Sequence, residues 1–476
     1  MLLRRLKNRW TEKNGYGEVL KLAFPLILST GSWSLQHFID RMFLTWYSPA
    51  AIAASLPAGM VNWTLVSLFV GMAAYVNTFV AQYYGAQRPE RIGPAVWQGI
   101  WLSLLAAAII LPFYPLASWI FGIFGHAPEV QDLETVYFRI LLIGAPFAVL
   151  SNAVSGFFSG LGRTWVVMWV NFFATGVNIV LDYLLIFGKF GFPELGMAGA
   201  AWATTIAVAS STGLFFFLMA RRKFDAEYHT LKGWRFELPL FRRLVRYGLP
   251  SGLQFLLEIF AFTLFILIVG KIGMLELAAS NIAFNINSLA FMPMYGFTIA
   301  VSTLVGQRLG ENRPDQAERS AWSAFHMALG FFGLLGLAYF VIPGVFTWPF
   351  AFQADPANIS PILELTAVLL RFVAFYCLFD AANMIFSGAL KGAGDTRFVA
   401  AASVVSSWGF MLVPSLIGVY LFGAGIYWLW VFVTLYVMGL GVAFWWRFIK
   451  GRWKSMRVIE TEGEEALKPA TAFVQE

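Results

Sequence analysis

The sequence predicts an all-α polytopic membrane protein, with twelve transmembrane helices in two pseudo-symmetric six-helix bundles and both termini cytoplasmic. Three observations predict it. Only 12% of the 476 residues are charged and 59% are hydrophobic, at a mean hydropathy of +0.69; soluble domains carry about 25% charged residues. Apolar runs long enough to cross a bilayer, roughly 20 residues each, recur along the whole chain. The second half of the chain also repeats the first in register.

The runs fall at approximately 17–46, 50–81, 95–119, 132–160, 165–187, 197–220, 243–270, 275–306, 320–348, 360–390, 398–421 and 425–447. Several exceed a plain crossing, so some helices should tilt or protrude. Pro25, Pro57, Pro146, Pro250, Pro293 and Pro414 sit inside them. In membranes such breaks are tolerated, because neighbours re-satisfy the freed backbone groups.

Charge placement sets the orientation. The net charge is +7 and the pI near 9.4. Of 33 Lys and Arg, all but Arg41, Arg139, Lys189, Lys271 and Arg371 lie in segments that twelve crossings put on one face. The opposite loops, such as 126–134 and 353–364, are neutral or acidic. The positive-inside rule makes the basic face cytoplasmic, so the excess charge reports topology and not nucleic-acid binding. The single Cys377 excludes a disulfide within the chain. The basic N-terminus lacks the short apolar core and cleavage site of a removable signal peptide.

The repeat emerges when Pro25 is aligned with Pro250. The same offset carries Ala53-Ala54-Ser55 onto Ala278-Ala279-Ser280, Gly71 onto Gly296, Gln82 onto Gln307, Gly85 onto Gly310 and Arg88-Pro89 onto Arg313-Pro314. With a small gap, Gly160 to Thr164 matches Gly392 to Thr396. The chain therefore divides into an N-terminal bundle at 1–220, a basic cytoplasmic linker at 221–243, a C-terminal bundle at 244–450 and a disordered cytoplasmic tail at 451–476. Each half has an even number of crossings, so the repeat is parallel, about an axis along the membrane normal, as in transporters that rock two halves around a central site. Pro25 and Pro250 hold equivalent places and mark candidate bending points of the gate.

Four acids lie well within the spans, away from their ends: Asp40, Asp182, Glu258 and Asp380. An ionisable residue at membrane depth costs a few kcal/mol on insertion scales and points to function. Asn178 and Asp182 stand at i and i+4, on one helical face, and Thr204 or Thr205 could face the same space. Asp40, Asn178, Asp182 and a threonine make an oxygen-rich N-lobe set that suits either Na⁺, a hard cation, or a proton. Glu258 and Asp380 could form a second acidic site, with Tyr376 four residues before Asp380. His37, three residues before Asp40, could tune it, although a lone membrane histidine more often packs. No Walker loop, zinc motif, nucleophile elbow, dinucleotide fingerprint or channel filter motif appears, which argues against an enzyme, an ATP-driven pump or a channel.

FPLI with Asp40 following, AQYYGAQ, SGLGRT, NIVLDY with GMAGAAWAT, YGLPSGLQFLLE and YCLFDAANMIFSGALKGAGDT together resemble the multidrug and toxic compound extrusion (MATE) transporters, of the bacterial NorM type, over roughly residues 15–450. The resemblance implies two six-helix bundles around a cavity that opens alternately to either side. It implies export of organic cations and amphipathic drugs in exchange for Na⁺ or H⁺. By the same resemblance Asp40, Asn178, Asp182 and Thr204 match the N-lobe coupling site, and Glu258, Tyr376 and Asp380 match the C-lobe cation site. Asn281 matches a substrate-contact position, and His37 is assigned beside it to the cavity. The expectation is a monomeric, multi-pass protein of the bacterial inner membrane that uses no cofactor beyond the coupling ion, binds small-molecule cations and lipid, and binds no nucleic acid. The alternative is a lipid-linked oligosaccharide flippase of the related superfamily, whose anionic cargo would favour basic residues where this chain keeps acids.

Overall fold

The computed structural model describes residues 9–12, 14–351 and 356–460. Among them there is helix and no strand. Twelve long helices follow in order: α1 Tyr16–Tyr47, α2 Pro49–Gly85, α3 Pro89–Phe113, α4 Pro128–Gly160, α5 Thr164–Phe187, α6 Met197–Met219, α7 Leu238–Ile272, α8 Met274–Gly310, α9 Pro314–Val341, α10 Pro356–Ala393, α11 Thr396–Phe422 and α12 Ile426–Ile449. Ten are individually long and apolar enough to cross a membrane, and α8, counted across its bend, makes eleven. α1 is not among them. It carries Ser29, Thr30, Ser32, Ser34, Gln36, His37, Asp40 and Arg41 on one helix, and it packs against α5 and α8.

Local sequence explains the boundaries. Ser48 accepts a hydrogen bond from the Ala51 amide at 3.0 Å, and Pro49 follows at the first helical position; this cap separates α1 from α2. The third expected span ran to 119, but α3 stops at Phe113 and Ala117–Gly122 is a separate turn of helix. Pro112 and Pro115 remove two amide donors there. α8 bends by 40° between Ser288 and Ala290. Pro293 accounts for it, since its ring clashes with the carbonyl four residues back, at Leu289. α11 contains a wide π turn at Ser407–Leu412, just before Pro414. The expected linker holds a short helix, Arg222–Tyr228, and α7 begins at Leu238.

The two bundles meet with the reciprocity of a two-fold repeat. α1 packs on α8, and α2 packs on α7 and on α8. A Cβ on Gly85 would lie 2.0 Å from the Gln307 carbonyl oxygen, and one on Gly310 would lie 2.2 Å from that of Gln82. Only glycine permits this approach of backbones. Gln82 Nε2 donates to the Gly392 carbonyl at 2.9 Å, and its mate Gln307 donates to the Gly160 carbonyl at 2.8 Å. Gln87 and Asn312, related by the same offset, share a left-handed backbone at φ 56° and 58°.

The seam is sealed at the end that carries the basic segments. Arg308 reaches Glu18 at 2.5 Å, Arg319 pairs with Glu12, and Asn14 donates to Gln316 at 3.2 Å. Deeper in, Thr303 donates to Asn77 Oδ1 at 3.1 Å and Thr30 to the Met292 carbonyl at 2.8 Å. The tail departs from expectation. It was expected to be disordered from 451, yet residues up to Glu460 pack against this end, with Trp453 and Val458 buried. Trp453 stacks on Phe448 with centroids 4.8 Å apart, and its Nε1 donates to the Phe448 carbonyl. Residues 461–476 lie outside the described ones.

Candidate functional site

In the first bundle α1 and α5 lie side by side and bring Asp40 close to Asp182. Asp40 is 8% exposed; Asp182 and Asn178 are fully buried. Asn178 Nδ2 reaches Thr204 Oγ1 on α6 at 3.4 Å. Thr205 faces elsewhere and donates to the Ile140 carbonyl on α4. The Tyr137 ring of α4 lies within electrostatic reach of both carboxylates. Asp40 Oδ1, Asn178 Oδ1 and both Asp182 oxygens are buried acceptors that receive no hydrogen bond from the protein. Buried polar groups are ordinarily paired, and an unpaired buried carboxylate is more costly still. Four such oxygens on adjoining helices form a set that calls for a positive partner.

In the second bundle Glu258 of α7 is half-buried and accepts from Gln254 Nε2 at 3.2 Å. The same amide nitrogen lies 2.9 Å from Ser403 Oγ on α11. Asp380 of α10 is buried, with Asn383 Nδ2 at 3.4 Å, and Tyr376 is buried beside it. Among the described residues no hydrogen bond joins Glu258 to Asp380; the Tyr436 ring of α12 lies within electrostatic reach of both. Lys391 of α10 is half-buried within electrostatic reach of Glu258.

His37 and Asn281 make no side-chain hydrogen bond to either cluster among the described residues. Both are exposed, and no hydrogen bond joins His37 to Asp40 among the described residues. The Asn281 carbonyl accepts from Asn285 Nδ2 at 2.8 Å. Among the described residues no three His, Cys, Asp or Glu gather as metal ligands. A cation at either cluster would therefore draw on amide and hydroxyl oxygens as well, a donor set that fits a hard monovalent ion.

Sequence reasoning missed Tyr137, Gln254, Ser403 and Tyr436. They are ordinary residues until the fold sets them against an acid. Lys391 carried a misleading signal, because it sits in a segment rich in basic residues and counted toward topology. A buried acid near the end of a span was also missed. Glu134 of α4 is fully buried and held by exposed His126 at 2.8 Å; HAPEVQDLE reads as an acidic loop.

A family model described as MatE matches residues 25–184 and 250–417, stretches that start at the two prolines from which the repeat aligns. A probable multidrug resistance protein NorM of Brucella suis is 29% identical over 428 residues, covering 88% of this chain and 89% of its own. One from Bradyrhizobium diazoefficiens is 31% identical over 397 residues, covering 82% and 84%. Among solved structures, an outward-facing multidrug resistance MATE family transporter of the MOP superfamily superposes with a TM-score of 0.84 at 19% identity, covering 94% of this chain and 97% of that one. A MOP superfamily transporter from Pyrococcus furiosus gives 0.84 at 21% identity, covering 93% and 97%. At these identities the structures speak to the fold alone.

Proposed function

Because the chain belongs to the MatE family of multidrug efflux transporters, we propose that it is a secondary antiporter, exporting cationic or amphipathic compounds in exchange for H⁺ or Na⁺ by alternating access. The observation that carries the proposal is the set of buried, unpaired acceptor oxygens at Asp40, Asn178 and Asp182. Two neighbouring carboxylates cannot both hold a negative charge in a low-dielectric interior without a proton or cation between them. The set is satisfied in one loading state only, which makes its occupancy a switch. Asp40 lies on α1, which also packs on α8 of the other bundle, so loading at Asp40 is felt at the seam.

The bundles close at the basic end, which is the cytoplasmic end by charge placement. Beyond the Thr30–Met292 bond, His37, Asn281 and Asn285 are exposed on α1 and α8. Exposed polar side chains on membrane helices face water rather than lipid. This supports an outward-open cleft, the state in which an incoming ion displaces outgoing cargo. In the second bundle Glu258 and Asp380 add negative potential, which favours cationic cargo. One chain carries both bundles, so this reading needs no second subunit, and it puts the multi-pass chain in the bacterial inner membrane. Nothing in this arrangement calls for nucleic acid.

Ethidium export from energised bacterial cells tests the proposal. Asp40→Asn, present in the membrane at wild-type amount, abolishes export. Full export by this variant overturns the coupling role.

A further inference from the structure

We propose that the C-terminal segment 452–460 is a strap that crosses the cytoplasmic seam and holds the outward-open state. Its two ends are fixed differently. Trp453, fully buried on Phe448, anchors the near end to α12. The far end inserts between the bundles. The Val458 amide donates to Gln82 Oε1 at 2.8 Å, and the Tyr83 hydroxyl donates to Glu460 Oε2 at 2.6 Å. Both partners belong to α2 of the first bundle. Glu460 Oε1 lies 3.7 Å from Arg91, which follows α2, and 3.5 Å from Arg243 on α7 of the second bundle. On the second bundle's side, Tyr247 of α7 donates to the Arg457 carbonyl at 3.3 Å, and Lys454 pairs with Glu318 of α9 at 2.6 Å.

One carboxylate thus ties α2 to α7 where those helices have to part for the cavity to open inward. The strap also joins the seal itself, since Gln82 holds the strap with its oxygen and the Gly392 carbonyl with its nitrogen. The repeat makes the asymmetry plain. Among the described residues Gln307, the mate of Gln82, shows the second kind of contact, to Gly160, and no strap on its oxygen, because a chain of two repeats has one C-terminus. The strap therefore biases one side of an otherwise symmetric seam. Hydrogen bonds to charged groups are the strong ones, shorter and about twice as strong as neutral ones.

The proposal rests on the transport cycle above. Its test needs no drug and no gradient. Spin labels at Gln87→Cys and Arg313→Cys, both exposed on the cytoplasmic turns of the two bundles, report the opening of that end; native Cys377 is buried and stays unlabelled. In lipid nanodiscs, distances are compared for the full chain, Glu460→Gln, Tyr83→Phe, a chain ending after Ser455 and one ending after Gly463. Loss of one charge-assisted bond, about 1.5 kcal/mol, raises the long-distance population roughly tenfold. The shift is expected in the chain ending after Ser455 and, to a smaller degree, in the two point variants, whereas the chain ending after Gly463 matches the full chain. A chain ending after Ser455 with an unchanged distance distribution overturns the strap. Export that persists in Asp40→Asn counts against the coupling site and leaves the distance result standing.

Discussion

Asp182→Asn separates function from stability. Asp182 is fully buried, and neither carboxylate oxygen receives a hydrogen bond. Asparagine keeps the shape and removes the charge. An unsatisfied buried polar group costs about 1–3 kcal/mol by mutational measure, and an ionised one more. Removing the charge should therefore leave the fold as stable or make it more so, with the melting midpoint unchanged or raised by a few degrees. Transport should move the other way. If each cycle moves one net positive charge inward per ethidium exported, 100 mV supplies about 2.3 kcal/mol, which sustains a drug gradient of about 50-fold; the variant forfeits that gradient. The assay pairs a thermal melt in detergent with the steady-state ethidium gradient across proteoliposomes. A variant that melts well below wild type, or that keeps the gradient, refutes the reasoning, because Asp182 would then be a structural hydrogen-bonding residue.

Three further outcomes follow from the geometry. Glu258→Gln with Asp380→Asn should impair ion-driven efflux more than Arg41→Ala does, since Arg41 is exposed while Asp380 is buried beside Tyr376; equal effects count against a second-bundle site. Gly85→Ala should cost about 1–3 kcal/mol by overpacking, because its Cβ would meet the Gln307 carbonyl at 2.0 Å, whereas Gly176→Ala, which meets nothing within 4 Å, should be neutral or stabilising; thermal melts compare them. The strap should ignore pH in the working range. Burial alone would raise the Glu460 carboxyl, but the Tyr83 hydrogen bond, with Arg243 and Arg91, outweighs it and holds the carboxyl below its ordinary value of 4.5. A depressed folded value means the stabilisation is present above the unfolded value and lost only as pH falls through the folded one. Label distances in an Asp40→Asn, Asp182→Asn, Glu258→Gln, Asp380→Asn background should therefore match at about pH 5.5 and pH 8, and a shift between them contradicts this account of the strap.

The fold was largely legible because membrane constraints are written in one dimension. Runs of apolar residues mark crossings, basic segments mark a side, and the alignment of Pro25 with Pro250 carries through to reciprocal contacts such as Gly85 on Gln307 and Gly310 on Gln82. Where the reading slipped, tertiary context decided. Prolines at 112 and 115 cut the third span short, and α1 is more polar than a lone crossing because its neighbours shield it. The tail looked disordered by composition, and GRWKSMRVIE betrayed its packing only through Trp453, Val458 and Ile459. At the candidate site the acids were conspicuous in an apolar chain, and the i and i+4 spacing placed Asn178 with Asp182. Their non-acidic neighbours were not legible, since Tyr137 and Tyr436 matter only through three-dimensional proximity. Lys391 was hidden by its place in a basic segment.

The most direct test of the central claim is ethidium efflux from proteoliposomes under a Na⁺ gradient and a pH gradient imposed separately, with Asp40→Asn as the control. The account predicts efflux that follows an imposed ion gradient and is abolished in Asp40→Asn. Folded wild-type protein that moves no ethidium under either gradient, or efflux untouched by the substitution, would contradict it.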